Sequence, residues 1–164
     1  MTRDDPLSAY RPNAGVVLFN SDGKVWIGRR SDASPPHGWQ FPQGGIDDGE
    51  DPFQAGWREL AEETGIDHHL AEPLGHIDDW LTYDFPPEVA ARPKHARRGW
   101  RGQKQRWFAF RFLGADTDFD LNRHGEVEFA EWRWEILHTV PQLVIPWKRT
   151  IYDRVAHDFA RFTG

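Results

Sequence analysis

Residues 44–66, GGIDDGEDPFQAGWRELAEETGI, hold seven Asp or Glu and one basic residue, Arg58. The second half of the stretch reads as a helix with its ends written in. Asp51 is suited to cap the N-terminus, Pro52 fits the first helical position and Gln54 completes a capping-box spacing. Gly65 fits the left-handed residue that stops a helix. Phe53, Trp57 and Leu60 at i, i+4 and i+7 form an apolar stripe that must be covered by something else. On a different side, Glu59, Glu62 and Glu63 fall at i, i+3 and i+4, which stacks three carboxylates on one face. Like charges at that spacing disfavour a helix by a few tenths of a kcal/mol per pair. The economical reading is a divalent cation with oxygen ligands, magnesium first, which would neutralise the cluster.

The rest of the chain bounds the fold that this helix joins. Its 164 residues suffice for one core and are read as one domain, 1–164, with 1–9 a loose N-terminus. Residues 13–20 and 24–30 read as strands around the turn 21–23, a plausible hairpin. Residues 31–38 are a loop, 39–41 a short extended piece, and Pro42-Gln43-Gly44-Gly45 a tight turn. Residues 74–84, 104–113 and 131–136 read as further strands, with a long loop over 85–103. A short helix over 138–144 precedes an amphipathic one from about Trp147 to Phe162, whose inner face is Ile151, Val155, Phe159 and Phe162. Strands and helices without regular βαβ alternation imply an α/β sandwich on a mixed sheet. With 11 Phe, 9 Trp and 3 Tyr, the aromatic content is more than one core of this size usually absorbs, so some rings are candidates for stacking on a ligand.

There is no cysteine, so disulfides and thiolate metal sites are excluded. No apolar run serves as a signal peptide or a membrane span, which implies a cytoplasmic protein and no membrane partner. The eight His have no i, i+4 pair of the kind a helical zinc site uses. There is no dinucleotide or P-loop glycine motif, and no elbow around a serine.

Gly44, Glu50, Arg58, Glu59, Leu60, Glu62, Glu63, Gly65 and Ile66 fill every position of a pattern that resembles the Nudix hydrolase signature. Nine specified positions in 23 residues are a specific match. Further segments extend the likeness: Tyr10-Arg11-Pro12-Asn13, Trp39 to Gly45, Gly102 to Gln105, Trp107-Phe108, Glu128-Phe129, Trp132 to Trp134 and Lys148-Arg149. Together they resemble the bacterial branch of RNA pyrophosphohydrolases, also described as hydrolases of dinucleoside polyphosphates of the diadenosine tetraphosphate type. The likeness does not extend over the 31–38 loop or the Arg-rich 92–101 segment.

The resemblance implies a Nudix-type α/β/α sandwich around a mixed β-sheet, and metal-dependent hydrolysis of a nucleoside diphosphate linked to another group. The chemistry agrees: a polyphosphate is a dense anion, and cations held by carboxylates screen it, lower the pKa of bound water and orient an in-line attack. Glu59, Glu62 and Glu63 are assigned as ligands of Mg²⁺, for which Mn²⁺ or another divalent cation can substitute. The resemblance adds a backbone carbonyl near Gly44 and, as the remote ligand, Glu128. Whether Glu63 or Glu128 instead activates the water stays open at this stage. Glu50 and Arg58 are read as support that fixes Glu59.

From Arg92 to Arg106 there are seven Lys or Arg and no acid, in a protein of net charge −6. Such a run is either a solvated loop or the wall that receives an anion. Lys104 and Arg106 share one side of their strand, so at least one is expected to reach the substrate. Trp100 and the Arg cluster suit an RNA 5′ end. Arg11, Arg30, Gln43, Tyr83 and Lys148 follow from the resemblance as substrate contacts. The implied reaction removes pyrophosphate from 5′-triphosphorylated RNA to leave a 5′-monophosphate. The alternative is asymmetric cleavage of dinucleoside polyphosphates. A non-catalytic nucleotide sensor would have been free to lose Glu59, Glu62 and Glu63, and all three are present. No obligate protein partner is implied.

Overall fold

The computed structural model describes residues 5–33, 37–125 and 127–164. Residues 1–4, Ser34 with the two prolines that follow it, and Glu126 fall outside them. Seven strands form one mixed sheet: β1 (Tyr10–Phe19), β2 (Val25–Arg30), β3 (Trp39–Gln40), β4 (Gln43–Gly45), β5 (Ala71–Asp84), β6 (Gly102–Phe112) and β7 (Phe129–Glu135). β1 runs parallel to β6 over its whole length, and β6 pairs antiparallel with β5. On the other edge of β1 sit β2 and β4, both antiparallel, and β2 carries β3 and β7.

Alternation along the central strands sends side chains into two separate cores. Ala14, Val16 and Leu18 of β1 and Phe108 and Phe110 of β6 face one layer, where α1 (Pro52–Thr64) packs. Val17, Phe19, Trp107 and Ala109 face the opposite layer, covered by α4 (Arg149–Phe159) and the 3₁₀ turns before it. This is an α/β/α sandwich. On α4, Ile151, Val155 and Phe159 are buried, as their spacing predicts. Among the described residues no helix is long and apolar enough to cross a membrane.

Three expectations change. Pro42-Gln43-Gly44-Gly45 is not a tight turn: Gln43 to Gly45 is a strand paired with Gly15 to Asn13 of β1, a partner that local sequence does not reveal. The 85–103 loop contains two single-turn helices, α2 (Pro87–Ala90) and α3 (Pro93–Ala96), each opened by a proline whose fixed φ suits that position. On α1, the deepest residues are Ala55, Gly56, Leu60, Glu63 and Thr64, while Phe53 and Trp57 are half-buried. Glu63, one turn from Leu60, therefore lies on the packed side and not opposite it. Most of the aromatic surplus goes inside or packs ring on ring; Phe119, for example, is bracketed by Phe112 and Trp132, both 4.6 Å away between centroids.

Candidate active site

The α1 helix is built as its sequence dictates. The Asp51 carboxylate accepts from the Phe53 and Gln54 N–H groups, and Gly65 ends the helix at φ 80°, where its N–H reaches Ala61 O. A cap of this kind contributes about 1 kcal/mol. The helix lies so close to β4 that a Cβ on Gly44 would run into the Glu59 carboxylate. Glycine at 44 thus lets backbone and acid approach.

The three signature glutamates sit in different surroundings. Glu63 is 8% exposed, and its Oε2 accepts from the Gln43 N–H at 2.8 Å. Glu59 is mostly covered and Glu62 is exposed. Burial first, then the neighbouring Glu59 and Glu128, pushes the Glu63 carboxyl well above the usual range. Burial also raises Glu59 to about 7, with Glu62 and Glu128 adding to the rise and Arg58 opposing it. Exposed Glu128, on the chain just before β7, thus belongs to the same electrostatic cluster although it is 65 residues from Glu63 in sequence.

Arg58 is the counter-charge that the stretch itself carries. Its Nε and Nη2 donate to both oxygens of Glu50, at 2.8 and 2.9 Å. Its Nη2 also donates to Gly45 O, and its Nη1 to Glu59 and Glu62, at 2.9 and 3.2 Å. One guanidinium therefore ties the helix to β4 and fixes the Glu59 rotamer, a bidentate arrangement that lysine cannot reproduce. The bond to Arg58 holds Glu50 below the usual carboxylate range.

These residues fit a hard divalent cation. Their donors are oxygens only, and the charge on two of them is disfavoured until a cation arrives. Among the described residues no three acidic or His side chains converge tightly enough to enclose an ion alone. That suits a cation that keeps several waters, as magnesium does. Glu59, Glu63, Glu62, Glu128 and the Gly44 carbonyl are the groups available to hold it.

A second layer positions the positions. Tyr152 on α4 is fully buried; its Oη donates to Gln43 Oε1 and accepts from the Phe41 N–H, both at 3.1 Å. Its ring stacks on Phe41 at 4.9 Å. Through Gln43, this hydroxyl sets the strand whose N–H addresses Glu63. The sequence alone gave no hint of it beyond a polar atom on an apolar helix. The Gln43 side chain is thereby turned into the core, and Gln40 of β3 faces the cavity in its place.

That cavity, of about 360 Å³, opens on the α4 side of the sheet. Arg11, Arg30, Tyr83 and Lys148 line it, together with Trp39 and Gln103. Lys148 is 7% exposed, with its Nζ 5.8 Å from the Tyr83 ring centroid. Burial, and then Arg30, lowers its pKa to about 8, against the pull of Glu128 and Glu63. Burial also raises the Tyr83 phenol. Arg30 pairs with Asp32 at 3.1 Å and also feels Glu128. The Ser31 N–H bonds Glu128 O at 3.3 Å and Arg30 lies opposite Phe129 in the β2–β7 pair, so the cationic wall meets the carboxylate cluster at that edge, with the glutamates themselves outside the cavity lining. Lys104 and Arg106 are not part of it. They stand on the α1 side of β6, stacked 4.9 and 5.5 Å over the Trp80 ring, and Gln103 takes the cavity-facing place beside them.

A capped acidic helix beside a cationic, aromatic-lined cavity on a mixed-sheet sandwich suits hydrolysis of a phosphoanhydride, and residues 9–155 match the NUDIX domain family. The chain belongs to that family, whose members generally use divalent metal cations. It is 56% identical over 153 residues to a Caulobacter vibrioides protein named RNA pyrophosphohydrolase, covering 93% of this chain and 87% of that one. A protein of the same name from Acidiphilium cryptum is 51% identical, over 93% of this chain and 92% of its own. Among solved structures, Caenorhabditis elegans Ap4A hydrolase superposes with TM-score 0.64 at 21% identity, covering 92% of this chain and 98% of that one. The Escherichia coli dihydroneopterin triphosphate pyrophosphohydrolase does so with 0.67 at 19%, covering 91% and 98%. Both share the fold.

Proposed function

We propose that this protein is a cytoplasmic, single-domain pyrophosphohydrolase that cleaves the bond between the α and β phosphates of 5′-triphosphorylated RNA. Water adds across that anhydride, and the products are pyrophosphate and a 5′-monophosphorylated RNA. The observation that carries the reading is the Glu59 and Glu63 pair, fixed by Arg58 and the Gln43 N–H, with Glu128 bonded through its carbonyl to Ser31, next to Arg30 of the cationic cavity wall. The names borne by the 56% and 51% identical relatives support the substrate class.

Mg²⁺ is the proposed cation, with Mn²⁺ or another divalent ion able to replace it; it supplies charge neutralisation and an acidified water. The protein's own residues do the rest. Glu59 and Glu63 are held ready for it by Arg58 and by the Gln43 N–H. Glu62 and Glu128 complete the acidic rim. Arg30, Lys148 and Arg11 receive phosphate oxygens, and Tyr83 backs Lys148. Excluding bulk water around Lys148 and Glu63 strengthens each of these charge interactions.

A second reading, asymmetric cleavage of a dinucleoside polyphosphate, draws on the aromatic residues of the cavity lining, Trp39, Tyr83 and Phe85, which offer faces for a base beside Arg30 and Lys148. Triphosphorylated RNA and diadenosine tetraphosphate at equal concentration, each with and without Mg²⁺, separate the two. We expect Mg²⁺-dependent pyrophosphate release from the RNA; none at a useful rate would overturn the first reading.

A further inference from the structure

The Arg-rich segment is mounted like a fixed part. Its end is tied to the sheet by Arg101 N–H to Ala9 O at 2.9 Å and Phe85 N–H to Arg101 O at 2.8 Å. The Arg101 guanidinium bonds Asp84 at 2.7 Å, and Asp84 also accepts from the Tyr10 hydroxyl. Val89 of α2 is buried, and His95 of α3 is 5% exposed with its ring stacked on Phe85 at 4.2 Å. With these anchors turned inward, Lys94, Arg97 and Arg98 remain exposed. Among the described residues none of the three makes an ion pair.

Behind this wall lies a second cavity, of about 520 Å³. It shares Arg11, Lys94 and His95 with the first, so the two meet across that edge. Arg98 and Trp100 line only the second, and Ile46, Asp47 and Asp48 close its far side. Trp100 is half-buried, packed against the apolar core and also facing this space. The site that the proposed function uses leaves Arg98 and Trp100 without a task.

An RNA whose 5′ end is consumed at the carboxylates must pass the rest of its chain over the protein surface. Single-stranded RNA is held by cations tracking its phosphates and by aromatic faces on which bases stack. We infer that the second cavity is an RNA subsite that takes the chain beyond the nucleotide held in the first cavity. Lys94 and Arg98 meet backbone phosphates, and Trp100 stacks a base. Asp47 and Asp48 repel phosphate, which confines the backbone to the α3 wall. They leave acceptors for ribose hydroxyls and base amino groups. The inference rests on the reading of RNA as substrate. It also gives the enzyme a means to tell RNA from small nucleotides, since a dinucleoside polyphosphate has no internucleotide phosphodiester to place there.

Kinetics over a salt series, with a triphosphorylated oligoribonucleotide and with diadenosine tetraphosphate, test it in the wild type, Arg98→Ala and Trp100→Ala. In Arg98→Ala the slope of log KM against log salt for the RNA should fall by about 0.7, one phosphate contact on a single strand. In Trp100→Ala the ratio of the RNA KM to the diadenosine tetraphosphate KM should rise at least about fivefold, the lower end of a lost base stack. Arg98 is exposed, so its variant keeps the test valid if Trp100→Ala folds poorly. Equal changes for both substrates, or no change for either, overturn the subsite while leaving the pyrophosphohydrolase reading intact. A wild-type protein that does not act on RNA overturns both.

Discussion

The acidic face of α1 and the basic 92–101 segment solve opposite problems in opposite ways. On α1, Glu59 and Glu63 are covered, the first held by the Arg58 guanidinium and the second by the Gln43 N–H, and both are pushed toward neutrality by burial. In the basic segment, Lys94 and Arg98 stay exposed to water, and the anchoring is done by buried His95 within it and Val89 just before it. The difference teaches where strength and reach are needed. Charges that hold an ion must be desolvated and oriented, because the field between them grows as water leaves. Charges that guide a long polyanion act at the surface, at some cost in salt sensitivity.

Substitutions that sharpen this contrast differ in size. Glu63→Gln keeps shape and removes the buried charge; kcat should fall on the order of 10³-fold, several kcal/mol of lost stabilisation, with the fold intact by circular dichroism. Retained turnover would falsify the role proposed for Glu63. Arg58→Lys keeps the charge but loses the two-pronged bond to Glu50; roughly 10- to 100-fold in metal affinity or rate should go with it. An effect below twofold would make the Arg58 network an ordinary surface pairing. Tyr152→Phe deletes one hydroxyl and strands the Phe41 N–H and the Gln43 carbonyl oxygen. We expect about 1–3 kcal/mol lower stability in a denaturant titration. The variant's loss should also lie in kcat more than in KM, because Gln43 addresses Glu63 and not the cavity. Lys104→Ala, on the far face of β6, should change kcat/KM less than about twofold, as surface substitutions do; a large drop would return Lys104 to the substrate wall.

The acidic region is legible in the sequence because its signals are local. Cap, stop, stripe and carboxylate spacing all lie within one helix and agree with one another. What local pattern does not carry is depth. Glu63 reads as one of three equal acids, and only the packing of α1 on β4 and β6 makes it the buried one. The same limit applies on β6. Alternation places Lys104 and Arg106 together but does not say which layer they face, and the structure puts both on the α1 side, over Trp80 and away from the cavity. The Pro42 to Gly45 turn is a strand because β1 offers it a partner some 30 residues away. In the basic segment, Pro87 and Pro93 at helix starts are a usable signal for α2 and α3. The clip that orders them, Tyr10–Asp84–Arg101, joins three distant parts of the chain and has no sequence signature. Tyr152 is equally silent: its neighbour Ile151 belongs to the apolar stripe, and only the fold shows what its hydroxyl meets.

The most direct measurement is Mg²⁺ affinity by calorimetry across pH 5 to 8.5, in the wild type and in Glu63→Gln. In the metal-free protein the folded pKa of Glu59 is about 7, above its ordinary 4.5, and burial raises that of Glu63 as well. Stability contributed by their protonated forms is therefore complete below about 4.5 and lost as pH rises through 7. The cation needs the ionised forms and must displace those protons. Apparent affinity should rise with pH through about 7, and Glu63→Gln should weaken it and flatten the rise. An affinity that is independent of pH and indifferent to Glu63→Gln would contradict the claim that the buried carboxylates of α1 are where the cation sits.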